Sequence, residues 1–152
     1  MRSLLGGKGA NVAEMKSLGI PVPDGFVVTT EACVETMNRQ GRWPDSLWGQ
    51  IEAALARLEE RTGRTLGSAQ RPLLVSVRSG AAISMPGMMD TILNLGISDT
   101  SVGALGAEAS SPRFAWDSYR RFLQMYGEVV ESIPAHVFED ALYAMKRERG
   151  VS

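Results

Sequence analysis

The chain has 152 residues, 44% of them hydrophobic and 22% charged, with a formal net charge of −1. This is ordinary globular composition, long enough for one domain with a real core, and it excludes intrinsic disorder. A charge so close to zero provides no global field for nucleic acid or an anionic membrane, so each cation has to be judged by its position.

Cys33 is the only cysteine, which rules out an internal disulfide and fits a reducing compartment. The first eight residues hold no continuous apolar run of the kind a secretory signal needs. No stretch approaches the ~20 apolar residues required to cross a bilayer. A soluble, cytoplasmic chain is expected.

Val12, Met15 and Leu18 lie at helical spacing and predict a helix over residues 10–18, with Gly19 ending it in a left-handed conformation. Pro21-Val-Pro-Asp-Gly25 is a rigid turn, after which Phe26-Val-Val-Thr29 reads as a strand. Thr30 is placed to cap a helix over residues 31–40 that stops at Gly41. Pro44-Asp-Ser46 opens a longer helix with the stripe Leu47, Ile51, Ala54 or Leu55, and Leu58. It ends near Gly63, where Arg61 and Arg64 oppose the helix dipole. Residues 73–77 and 91–95 read as strands, and the Gly/Ala/Ser stretch 103–111 as a loose loop or a weak short helix.

Pro112 favours the start of a helix that buries Ala115, Tyr119, Phe122, Leu123, Tyr126 and Val130. Pro134 separates it from a last helix, residues 135–149, with Phe138, Leu142 and Met145 on one face. The expected fold is α+β, a small mixed sheet with several packed helices. Three strands are few for this much helix, so an incomplete sheet is expected.

Two loops carry cations where an anion can be held. Gly6-Gly-Lys8-Gly9 lies before a helix: glycines let the backbone approach a ligand closely, the helix N-terminus points N–H groups at it, and lysine adds a point charge. The glycine spacing and the lack of Ser or Thr directly after Lys8 exclude a Walker A loop. Taken alone, the pattern also fits a solvated lysine in a flexible turn. Arg78 stands where Leu73-Leu-Val-Ser-Val77 runs out, and alternation places Leu74, Ser76 and Arg78 on one face. Its planar fork of donors matches phosphate oxygens; a strand-end arginine paired with a carboxylate is an equal reading.

The segment Ser84-Met-Pro-Gly-Met-Met-Asp90 brings three methionines around Pro-Gly. They serve either a flexible apolar surface facing something mobile or a core plug. Asp90 and Thr91 can reach a metal or a phosphate, but one carboxylate is too few for a magnesium site. His136 has no metal-ligand partners and should face solvent from the first turn of its helix. Trp43, Trp48 and Trp116 follow no stacking pattern, while Arg120 and Arg121 should make ion pairs of small value on a helix flank. No Ser/His/Asp or Cys/His arrangement is visible.

Several runs, taken together, resemble a known family. They are Leu5-Gly-Gly-Lys-Gly-Ala-Asn-Val-Ala-Glu-Met15, Ile20-Pro-Val-Pro-Asp-Gly-Phe26, Thr29-Thr-Glu-Ala-Cys33, the whole of residues 72–96, and Pro112-Arg-Phe-Ala-Trp-Asp-Ser-Tyr-Arg-Arg-Phe-Leu-Gln-Met-Tyr126. The chain is similar to the N-terminal nucleotide-binding region of the pyruvate, phosphate dikinases. The resemblance implies a partial ATP-grasp N-terminal lobe spanning residues 1–152, part of a phosphotransferase that uses MgATP to phosphorylate a carrier histidine and from it pyruvate.

By motif, Lys8 and Arg78 match two ATP-phosphate-binding residues of the family, with Gly6, Gly7, Ser79, Gly80, Gly87, Asp90 and Thr91 completing the surrounding loops. Their implied role is to hold the polyphosphate and offset charge on the transferred group. The family usually reads Ser-Gly-Ala-Arg where this chain has Ser79-Gly-Ala-Ala82.

The family's magnesium-binding carboxylates, its phosphohistidine motif and its pyruvate barrel have no counterpart in these 152 residues. The implied partners are therefore ATP and the missing lobe and phosphohistidine domain, in cis or in trans, with no nucleic acid and no membrane. Without those parts the chain alone is expected to be inactive. A non-catalytic interaction module, a split-gene partner completing its site on a second polypeptide, and the remnant of a truncated gene stay open as alternatives.

Overall fold

The computed structural model describes residues 1–79 and 91–151. Among these residues the chain forms six helices and a two-stranded antiparallel sheet. It divides into two compact units: Met1–Leu66 together with Arg78, and Gly67–Val77 together with the residues from Thr91 onward. No described helix is long and apolar enough to cross a membrane.

The first unit contains α1 (Arg2–Ser17), α2 (Thr30–Asn38) and α3 (Leu47–Thr62). α1 is two helical pieces meeting at Gly6, whose backbone leaves the helical region at φ 68°, ψ 172°. Its end follows the sequence: Gly19 adopts φ 75°, and the Ile20 N–H donates to the Met15 carbonyl at 3.0 Å. α3 likewise closes on left-handed Gly63, and from its apolar stripe Leu58 is buried.

Two expectations fail in this unit. Residues 26–29 are not a strand. A β-branched run forms a ladder only against a neighbour that takes its N–H and C=O groups, and the segment has no strand beside it among the described residues. Val27 packs instead on Gly9, where an added Cβ would lie 3.3 Å from both of its methyls. Thr30 is not the cap of α2 but its first residue; Thr29 holds the cap position, with no side-chain cap bond. Trp43 and Trp48, which sequence left unpaired, bring their ring centroids to 5.7 Å.

The second unit holds all but the last residue of β1 (Val75–Arg78), then β2 (Thr91–Leu95), α4 (Val102–Glu108), α5 (Pro112–Val129) and α6 (Ala135–Arg149). β1 begins two residues later than expected. Leu73 before it is buried and Leu74 packs on the core, so strict alternation does not extend back to them. Ile97, Val102 and Ala115 form that core, with Leu74, Leu105, Tyr119 and Phe122 packed against it.

α4 is the short helix that the Gly/Ala/Ser stretch allowed. It lies against α5 through Gly106, where a Cβ would come within 3.3 Å of the Pro112 Cα. The Ser111 hydroxyl caps α5, accepting from the Phe114 N–H at 3.3 Å, with Pro112 in the first turn. β2 meets α5 where the Leu93 N–H donates to the Met125 sulfur at 3.2 Å. Phe138 of α6 seats over Gly127 so closely that a Cβ there would fall 2.3 Å from its Cζ.

Ala115 is fully buried, but Leu123 and Val130, expected on the same buried stripe, are exposed, as are Leu142 and Met145 of α6. Periodicity identifies which side chains share a helix face; it does not say how much of that face a neighbouring element covers.

Candidate functional site

Gly6 determines the form of the N-terminal loop. Its φ and ψ lie in a region open essentially to glycine alone, and the residue is buried. The break starts a new helical segment at Gly7. Lys8 therefore stands in the first turn of that segment, where N–H groups lack intrahelical acceptors and the dipole favours negative charge. The Lys8 side chain is half-buried and has no ion-pair or hydrogen-bond partner among the described residues. A cation kept in this position is free to meet an anion from outside.

The segment leading into α2 braces this loop. Asp24, at the end of the Pro-Val-Pro turn, accepts from Lys16 Nζ at 2.8 Å and from Arg61 Nη2 at 2.7 Å, fastening the turn to α1 and α3. The hydrogen bond from Lys16 comes first among the causes holding the Asp24 carboxyl below its ordinary range. Partial desolvation opposes it, and the charges of Arg61 and Lys16 reinforce it. Sequence reading missed Asp24, although a carboxylate just beyond a Pro-rich turn, eight residues from a lysine in the last turn of a helix, was a usable signal. Arg61, 37 residues away, left none.

Arg78 is the last residue of β1 and is exposed, with Ser79 exposed beside it. It falls in the same compact unit as Lys8. Thr91 opens β2 and is half-buried. Gly80, Gly87 and Asp90, with Ala82 and the three methionines of that loop, lie outside the described residues. His136 is exposed in the first turn of α6.

Arg120 and Arg121 pair with Asp117 at 2.9 and 2.8 Å on the flank of α5. The hydrogen bond from Arg120, followed by the two arginine charges against partial desolvation, lowers the Asp117 pKa. Tyr119 moves the other way, raised first by burial and then by Asp99.

An open groove of about 460 Å³ runs along Asn38, Arg39, Gln40, Arg42, Trp43 and Asp45. It contains neither Lys8 nor Arg78, and Arg39 there is already paired with Glu35 at 2.8 Å. No group of three or more His, Cys, Asp or Glu side chains among the described residues can hold a metal ion.

The profile of the family described as pyruvate phosphate dikinase, AMP/ATP-binding domain, matches residues 2–42. That stretch contains Gly6, Lys8, Asp24 and Thr30. Over 151 residues the chain is 55% identical to the pyruvate, phosphate dikinase of Clostridium symbiosum. It is 54% identical over 149 residues to that of Rhizobium meliloti (strain 1021), and 55% identical over 151 residues to the chloroplastic pyruvate, phosphate dikinase 1 of Zea mays. These alignments take in 99%, 98% and 99% of this chain but 17%, 17% and 16% of the relatives. Residues 2–42 thus match the AMP/ATP-binding domain model, and nearly the whole chain is similar to part of the pyruvate, phosphate dikinases.

Proposed function

We propose that residues 1–152 serve as one side of the ATP site of a pyruvate, phosphate dikinase. In this role Lys8 and Arg78 hold the polyphosphate, and Gly6, Gly7, Ser79, Gly80, Gly87, Asp90 and Thr91 shape the loops around it. The observation that carries the reading is the coincidence at Gly6. A backbone conformation reserved for glycine sets a lysine, without a partner among the described residues, in the first turn of a helix inside the stretch that matches the family's AMP/ATP-binding domain.

The chemistry assigned to these residues is electrostatic. An ammonium and a guanidinium positioned in advance offset charge that spreads over phosphate oxygens during transfer, and they need no reorganisation to do so. Arg78 adds a planar fork of N–H groups that donates to two oxygens at once. The magnesium ligands, the second ATP lobe, the carrier histidine and the pyruvate site belong, on this reading, to other parts of a cytoplasmic ATP-grasp enzyme. By themselves the 152 residues are expected to give no phosphoenolpyruvate from ATP, pyruvate and phosphate, and turnover by the purified chain would overturn that.

Calorimetric titration of the chain with MgATP tests the site. Lys8→Ala and Arg78→Ala should each weaken binding several-fold, and the parent affinity should fall as ionic strength rises, because exposed charge contacts are screened. Parent-like binding by both variants would refute the assignment.

A further inference from the structure

The break at Gly6 leaves the short helical stretch before it with carbonyls that no intrahelical N–H can reach. Thr30 attends to them. Its hydroxyl donates to the Ser3 carbonyl and lies 3.3 Å from that of Leu4. On the other side of the break, Gly9 sits so close to Leu5 and Val27 that a Cβ would be 3.3 Å from each. The turn bearing Lys8 is thus held from both ends by one stretch of chain, Val27 and the α2 start at Thr30, just after the Asp24 clamp to Lys16 and Arg61.

We propose that Thr30 is a positioning residue of the polyphosphate site: its hydroxyl, by tying the carbonyls ahead of Gly6, sets the direction in which the Lys8 turn faces its ligand. Thr30 does not touch the phosphate. Its hydroxyl spends its single proton on the backbone before the break, and the side chain is otherwise small. The proposal rests on the reading of Lys8 as a phosphate-binding residue and adds what keeps Lys8 in place.

The mechanism predicts a specific pattern. Removing the hydroxyl while keeping the shape, in Thr30→Val, releases the stretch before Gly6. The amides of residues 5–9 should then exchange faster with solvent, and the affinity for a polyanion should fall although no charge has been lost. One hydrogen bond of ordinary net strength corresponds to a change of about 2- to 10-fold. Thr30→Ser, which retains the hydroxyl, should restore both quantities. A purely structural contribution of the side chain would lower global stability without separating the serine from the valine variant.

The experiment uses the full chain, amide hydrogen exchange followed residue by residue, and inorganic tripolyphosphate as the probe, with binding read from chemical shifts at Gly7, Lys8 and Gly9. Thr30→Val should show faster exchange at residues 5–9 and weaker tripolyphosphate binding, and Thr30→Ser should match the parent. If both Thr30 variants match the parent while Lys8→Ala loses binding, the role of Thr30 is overturned and the phosphate reading stands. If Lys8→Ala binds like the parent, or the parent shows no shifts in millimolar tripolyphosphate, the phosphate reading falls and takes the proposal with it.

Discussion

Replacing Gly6 by alanine tests the geometry on which the site depends. At φ 68°, ψ 172° an L-residue is strained by about 1–3 kcal/mol. Alanine recovers only about 0.4–1 kcal/mol by restricting the unfolded chain. The strain wins, leaving a net loss of about 1–2 kcal/mol. For a unit of this size each kcal/mol moves the midpoint by about 4–8 °C, so Gly6→Ala should melt roughly 5–15 °C below the parent.

Gly49 provides the control within the same unit. It lies in α3 at an ordinary helical φ, with nothing within 4 Å of an added Cβ, and Gly49→Ala should gain up to about 1 kcal/mol. Trp43 and Trp48 report on this unit and Trp116 on the other, so fluorescence melting in a Trp116→Phe background isolates the signal. If Gly6→Ala melts at or above the parent while Gly49→Ala behaves as stated, the Gly6 break is not the strained feature described here.

Three further outcomes follow from contacts elsewhere. Gly127→Ala should destabilise the second unit by about 1–3 kcal/mol despite the higher helix propensity of alanine, since its methyl collides with Phe138; Phe138→Leu in that background should recover part of the loss in urea titrations. Ser111→Ala removes the cap bond to Phe114 and should cost about 1 kcal/mol, seen as faster amide exchange in the first turn of α5. The Asp24 carboxyl titrates below its ordinary value of 3.8 when folded. Its stabilising contribution is therefore complete above that value and is lost as pH falls through the lower folded value. Acid melts followed at Trp43 and Trp48 should show this loss in the parent, and Asp24→Asn should flatten it.

The elements that sequence located best are those with local causes. Helix ends at Gly19 and Gly63, the Pro112 start and the short α4 depend on backbone preferences confined to a few neighbouring residues, and each stands where composition placed it. The Gly-Gly-Lys-Gly stretch, expected as a loop ahead of a helix, lies instead within α1, which departs from helical geometry only at Gly6. The strand at residues 26–29 failed because a strand is a property of two segments, and Val27 found Gly9 of α1 rather than a ladder partner. Arg78 was placed at the end of its strand correctly, although that strand began late.

What the amino-acid order determined alone was the glycine- and proline-marked turns, several helix ends and the positions of the cations, together with the family likeness they spell out. Which side chains meet was decided only in three dimensions. The Lys16–Asp24–Arg61 clamp, the Thr30 bond to Ser3, Phe138 over Gly127 and the exposure of Leu123 and Val130 each depend on elements distant in the chain. Short-range preferences act through φ and ψ and can be read residue by residue, whereas burial and ion pairing depend on which surfaces the folded chain brings together.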